Sequence, residues 1–155
     1  MTKETLSQQA LQSIILAEDD PDDHDFFTEA LNEISVSIKL VAVKNGEELM
    51  ELLKHFLPDI IFLDLDMPYK NGLECIAEIR ANHKLQKIPV VVFSSTTRPS
   101  NIDTAYEMGA DLFFIKPSVY KDLVSSTKAI LNLNWKEPSA VKEQYCINGR
   151  YVAFM

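Results

Sequence analysis

Cysteine is scarce: two residues, Cys75 and Cys146, in a chain of 155. Two are too few for a disulfide framework, and they lack metal-ligand spacing. Cations are outnumbered, 15 Lys and Arg against 23 Asp and Glu, for a net charge of −8. That balance argues against nonspecific nucleic-acid binding, which needs cations to displace counterions from phosphates, and against docking to anionic membranes. No apolar run approaches the roughly 18 residues that span a bilayer. The first dozen residues are polar and helix-prone and carry no apolar signal core. Internal repeats and low-complexity segments are absent, and His24, His55 and His83 share no metal spacing. What remains has the length of one globular domain, 46% hydrophobic and 25% charged, with a reducing cytoplasmic location expected.

Short apolar runs alternate with amphipathic stretches. Ser13–Ala17 ends in Glu18-Asp19-Asp20-Pro21, and a helical pattern follows through Phe26, Phe27, Ala30, Leu31 and Ile34. Ile38–Val43 leads to a second helix carrying Leu49 to Phe56, which Pro58 stops. Ile60–Leu63 ends in Asp64-Leu65-Asp66-Met67-Pro68, before a helix with Leu73, Ile76 and Ile79. Val90–Phe93 ends in Ser94-Ser95-Thr96-Thr97, and the helix after it stops at Gly109, a residue suited to a left-handed cap. Leu112–Ile115 ends in Lys116-Pro117, and a last helix runs from about Ser118 to Asn132. Strands apolar at every position are buried on both faces, so the expected fold is α/β: a doubly wound, five-stranded parallel sheet flanked by five helices.

Ligands bind such sheets beyond the carboxyl ends of the strands. Four of the five ends carry reactive groups: carboxylates after the first and third, a hydroxyl after the fourth and an ammonium after the fifth. Singly, each has a plain structural reading, with Asp20 a helix cap and Lys116-Pro117 a strand terminator. Together they converge on one crevice. Clustered carboxylates repel one another unless a cation intervenes, and hard oxygen ligands with room for water and phosphate suit Mg²⁺. A carboxylate, a metal and an ammonium around one spot can accept a phosphoryl group.

These residues resemble the receiver domain of two-component response regulators. The matching segments are Ile14-Ile15-Leu16-Ala17-Glu18-Asp19-Asp20, Asp59 to Pro68, Asn71-Gly72-Leu73, Ile88 to Ser95, Gly109-Ala110-Asp111 and Phe114-Ile115-Lys116-Pro117. The resemblance implies a flavodoxin-like receiver fold, with Asp64 as phosphoacceptor and Lys116 contacting the phosphoryl group. It implies that Asp19 is a metal ligand, that Glu18 belongs to the acidic pair, and that Asp66 offers a backbone carbonyl. Ser94 fills the switch-hydroxyl position and Phe113 the switch-aromatic position, where a tyrosine is common. Asp66 and Thr96 stand where the family tunes phosphoryl lifetime. Asp20 leaves open which two carboxylates face the metal.

The implied function is a phosphorylation switch. A histidine kinase or histidine phosphotransfer protein donates to Asp64, Ser94 moves toward the phosphoryl group, Phe113 shifts inward, and a face for an unknown downstream protein is remodelled. The phosphoryl group is alternatively relayed onward. The chain is not expected to be a turnover enzyme. A haloacid-dehalogenase-like phosphohydrolase also uses Asp-x-Asp, Ser/Thr and Lys, but its further acidic motif follows the lysine, whereas the acidic pair here precedes Asp64. An unphosphorylated receiver-like interaction module is the other alternative.

The expected organisation is a polar extension over 1–12, a receiver over 13–133 and a C-terminal extension over 134–155 with no output domain. Asn148-Gly149 between β-prone runs signals a hairpin pairing Ile147 with Arg150, Tyr145 with Val152 and Glu143 with Phe154. Its apolar face would pack on the receiver or join two copies into a homodimer.

Overall fold

The computed structural model describes residues 11–154. Of the N-terminal extension expected over 1–12, residues 1–10 lie outside the described residues. Strands β1 (Ser13–Ala17), β2 (Lys39–Val43), β3 (Ile60–Leu63), β4 (Val90–Ser94) and β5 (Leu112–Ile115) form one parallel sheet in the order β2-β1-β3-β4-β5. Helices α1 (Pro21–Ile34), α2 (Gly46–Leu52), α3 (Gly72–Ala81), α4 (Pro99–Met108) and α5 (Tyr120–Leu131) make the crossovers and close the sheet. The winding reverses between β1 and β3, and a crevice opens there at the carboxyl ends of the strands.

The pleat divides the apolar strand residues between two cores. Ile15, Ile61, Leu63, Val90, Val92 and Phe113 face α2, α3 and α4, while Ile14, Leu16, Phe62, Val91, Phe93 and Phe114 face α1 and α5. All of these side chains are buried, which explains why the strands read as unbroken apolar runs rather than alternating ones. The helix starts follow from capping. Asp20 accepts from the Asp22 and Asp23 amides at the head of α1, and Pro21 occupies its first turn. Asn71 and Glu74 form a reciprocal capping box on α3. Gly109 closes α4 at φ 123°, a region hostile to a Cβ. One expected helix is shorter than its pattern: α2 ends at Leu52, and 53–55 form turns before Pro58. Leu53 and Phe56 still reach the core from those turns, which is why they mimic a helical stripe.

The extension departs from a simple hairpin. A sixth helix among the described residues, α6 (Pro138–Gln144), precedes β6 (Cys146–Ile147) and β7 (Arg150–Tyr151). Ile147 pairs with Arg150 across Asn148-Gly149, both at positive φ, and the Val152 amide donates to the Tyr145 carbonyl at 2.7 Å. Glu143, expected opposite Phe154, lies in α6 instead. Phe154 forms a parallel bridge with Phe114, its amide donating to the Phe113 carbonyl at 2.7 Å and its carbonyl accepting from Ile115 at 3.2 Å. The physical reason is the outer edge of β5, whose unpaired backbone groups bind the chain end more effectively than a two-residue ladder does. The expected common face is therefore divided. Tyr145 and Phe154 rings meet at 5.8 Å, Tyr151 stacks on Tyr106 at 5.0 Å, and Ile147 stays exposed.

Tyr106 completes this edge. Its hydroxyl accepts from the Phe113 amide at 3.1 Å and donates to the Val152 carbonyl at 2.8 Å. Tyr106→Phe orphans that buried amide and is expected to cost about 1–3 kcal/mol, the penalty for an unsatisfied buried donor. Urea unfolding of the two proteins measures it, and an unchanged midpoint would contradict the edge role.

Candidate functional site

Register brings the reactive residues together. The Asp64 amide donates to the Ala17 carbonyl (2.9 Å), so the first residue after β3 stands beside Glu18, the first after β1. The Glu18 amide in turn donates to Val43 of β2 at 3.0 Å. On the other flank the Lys116 amide donates to the Ser94 carbonyl at 2.8 Å, locking the end of β5 to the end of β4. Three strand ends thus deliver carboxylates and an ammonium to one place, and the end of β4, carrying Ser94, is tied to the ammonium's own backbone.

Glu18 and Asp64 are buried, with 2% and 5% of their surface exposed, whereas Asp19 is exposed. These three residues each offer an oxygen within 4.8 Å of the others. Asp20 accepts from the first amides of α1 as its cap, and of the three consecutive acids Glu18 and Asp19 are the two grouped with Asp64. Two like charges near 4 Å repel by roughly 4 kcal/mol at an effective dielectric of 20. Burial, more than this repulsion, shapes their acidity. Burial, reinforced by Asp64, pushes the Glu18 carboxyl up to about 8, and burial likewise raises Asp64. Burial alone would lower the Lys116 ammonium, but the hydrogen bond to Asp23 and the close negative charges of Glu18 and Asp64 outweigh it and hold it up.

Lys116 Nζ lies 2.9 Å from Glu18 Oε1, 2.8 Å from Asp23 Oδ2 and 3.7 Å from Asp64 Oδ2. The ammonium also sits 5.3 Å from the centre of the Phe93 ring. Glu18 Oε1 nevertheless receives no well-aligned hydrogen bond, so the 2.9 Å contact is a charge contact on a buried oxygen with spare coordinating capacity. A buried carboxylate with an under-satisfied oxygen, grouped with two further carboxylates, fits a hard divalent cation. Remaining acceptors are held by the backbone: Glu18 Oε2 takes the Asp20 amide and Asp64 Oδ1 the Asp66 amide, each at 3.2 Å.

The β3–α3 loop is pinned from outside. The Gly46 amide donates to the Lys70 carbonyl, and the Gly72 amide to Leu65. A Cβ on Gly46 would lie 2.2 Å from that Lys70 oxygen, so the close approach requires glycine. Asp66 is exposed on this loop. Ser94 is fully buried, with its hydroxyl accepting the Thr96 amide at 3.2 Å. Thr96 Oγ1 accepts from the Arg98 amide and from Asn101 Nδ2, so its hydroxyl is tied to the start of α4. Phe113 is already fully buried in the core on the α4 side, so the inward shift anticipated for it has no outward starting point here.

Two residues had no distinguishing signal in the sequence. Asp23 looked like one more acid in a charged turn, yet its carboxylate bonds Lys116 from 93 positions away. Tyr106 looked like an ordinary core position of a helix, yet its hydroxyl serves the backbone of the Phe113 position, where the chain has no phenol of its own. Cys75 is a buried apolar filler, its thiol pushed up to about 12 by burial.

Fold and site together define a doubly wound α/β module built to gather negative charge and one ammonium at its topological switch point. The response regulator receiver domain model matches residues 14–128. The chain is 30% identical to response regulator Rcp1 of Synechocystis sp. over 124 residues, covering 76% of this chain and 84% of that protein. The Mn²⁺-bound form of Rcp1 superposes with a TM-score of 0.72 at 29% identity, covering 79% of this chain and 93% of that one. The phosphorylated cyanobacterial phytochrome response regulator RcpA superposes with a TM-score of 0.75 at 32% identity, covering 81% and 94%. The chain belongs to the response regulator receiver domain family. Receiver domains are phosphorylation-dependent signalling modules of two-component systems, generally without enzymatic turnover, and take their phosphoryl group from histidine kinases or phosphotransfer proteins. Membership removes the haloacid-dehalogenase alternative. No helix among the described residues is long and apolar enough to cross a membrane.

The raised carboxyls give stability a specific pH dependence. A group with a raised folded pKa contributes stability that is present below its unfolded value, near 4.5 for Glu18, and lost as pH rises toward about 8. Without divalent cation, the melting temperature is expected to fall across that window, and Mg²⁺ to restore most of the loss at pH 8. Thermal melts at several pH values with and without Mg²⁺ measure this. A melting temperature that climbs from pH 5 to 8 in chelator would contradict the site's electrostatics.

Proposed function

We propose that this chain is a phosphorylation switch whose phosphoacceptor is Asp64. The observation that carries the reading is the buried Asp64 carboxylate facing both Glu18 and the Lys116 ammonium at the switch point of the sheet. An Asp64 oxygen attacks the phosphorus of a phosphohistidine. The O–P bond forms, the P–N bond breaks, and the imidazole leaves with a proton. Lys116 donates to the phosphoryl oxygens, and Asp19 keeps the open side of the crevice acidic. Glu18, Asp19, Asp64 and the Asp66 backbone carbonyl would hold Mg²⁺, which when bound neutralises charge on the transferring group.

The modification adds a charge of about −2 next to Lys116. Ser94 gives up the Thr96 amide to hydrogen-bond the phosphoryl group, and the loop from Ser94 to Arg98 moves with it, because Thr96 is tied to Asn101 and the head of α4. With Phe113 already inside, α4 and the C-terminal segment are the parts of this face free to respond. Asp66 and Thr96, flanking the acceptor, are the positions we expect to set phosphoryl lifetime. The donor we infer is a histidine kinase or histidine phosphotransfer protein in the cytoplasm. The downstream partner is a protein rather than nucleic acid or membrane, given the net charge of −8. We read the extension as an intramolecular cover of β5, and the same pairing exchanged between two copies as the route to a homodimer.

Intact mass after incubation with Mg²⁺ and acetyl phosphate tests the reading. One phosphoryl group is expected on the parent and none on Asp64→Ala or in chelator. Labelling that survives Asp64→Ala would move the acceptor elsewhere, and steady phosphate release without an adduct would indicate a hydrolase.

A further inference from the structure

Lys116 is not held where its role at Asp64 requires. Its three ammonium protons have three carboxylates in range, and the acceptor is the furthest: 2.8 Å to Asp23, 2.9 Å to Glu18 and 3.7 Å to Asp64. A separation of 3.7 Å is beyond hydrogen-bond length. Asp23 sits in the first turn of α1, but Asp20 already caps that helix, so the Asp23 carboxylate is not spent on the helix end. Among the described residues its hydrogen-bond partner is Lys116. It is one-third exposed, so one of the two carboxylates that hold the ammonium more closely than Asp64 does is a more open one on α1. A carboxylate also offsets the charge that Lys116 must direct at a phosphoryl group.

We propose that Asp23 is a positioning residue that restrains Lys116 on the α1 side of the crevice and thereby slows phosphoryl uptake by Asp64. The inference rests on Asp64 being the acceptor. For Asp64 to be modified, its oxygen–phosphorus bond forms while the bond from phosphorus to the leaving group breaks. Acetate departs as an anion from acetyl phosphate, and the already protonated nitrogen of phosphoramidate departs as neutral ammonia. In both reactions the ammonium must follow the phosphoryl oxygens, so it must loosen its hold on Asp23. The restraint acts on the lysine and not on the donor, so it operates equally for donors of different charge.

Asp23→Asn keeps the shape and an accepting oxygen but removes the charge. Uptake is measured by intact mass at saturating Mg²⁺ with acetyl phosphate and, separately, with the less negatively charged phosphoramidate. The expected result is a gain of about two- to fivefold with both donors, the size appropriate to a partly exposed ion pair. Asp23→Glu, which retains a carboxylate in reach of Lys116, stays near the parent rate. Asp23→Ser repeats the test should the asparagine variant lose its helical circular dichroism. A gain with acetyl phosphate alone would mean that Asp23 merely repels the donor, and equal or slower uptake in the variants would remove the restraint; either overturns the proposal. Failure of the parent to take up phosphate at Asp64 from either donor would instead overturn the acceptor assignment on which the proposal rests.

Discussion

The arrangement depends on one electrostatic constraint: two carboxylates, Glu18 and Asp64, are buried side by side with one ammonium, that of Lys116, at 2.9 and 3.7 Å from them. Desolvating a charge costs several kcal/mol unless it is paired, and Lys116 cannot pair fully with three carboxylates at once. The fold therefore carries an unsatisfied demand for positive charge at its switch point. Burial raises both acids, and Glu18 keeps an oxygen without an aligned donor. A divalent cation would meet that demand, and the charge it brings would in turn offset that of an arriving phosphoryl group.

The same constraint stands at one end of a run of hydrogen bonds that leads to the far edge of the sheet. Lys116 is joined through its backbone to Ser94, Ser94 through its hydroxyl to Thr96, and Thr96 to the head of α4. On α4, Tyr106 bonds both the Phe113 amide of β5 and the Val152 carbonyl of the C-terminal segment. These contacts are directional and follow one another, so displacement of Ser94 would have a mechanical route to the edge of the sheet. The chain end is part of this route, since Phe154 continues the hydrogen bonding of β5 and its ring meets Phe114 edge-on at 5.8 Å.

Most of the fold was legible because burial on both faces leaves a plain trace. Strands such as Ile60–Leu63 are apolar at every position, and reactive residues stand immediately after them. Glu18, Asp19 and Asp64 could be expected in one crevice because a doubly wound parallel sheet sets the ends of its first and third strands side by side. The end of α2 was not legible, because Leu53 and Phe56 reach the core from turns and imitate a helical stripe. The C-terminal segment was legible only as a hairpin. Its Asn-Gly turn is local, but the partner of Phe154 is the edge of β5, some 40 positions earlier, and sequence pattern carries no trace of such pairing. Asp23 and Tyr106 were hidden for the same reason, since their roles depend on Lys116 and Phe113 and not on their neighbours in sequence.

Calorimetric titration of the protein with Mg²⁺ at pH 7, repeated in buffers of different ionisation enthalpy, tests the central claim most directly. If Glu18 and Asp64 share a proton because they are buried together, cation binding must expel it. The apparent enthalpy will then vary with the buffer in proportion to a fractional proton released per ion bound, and the release will shrink as the pH is raised past 8. An enthalpy independent of buffer would mean that both carboxylates are already ionised in the metal-free protein, contradicting the account.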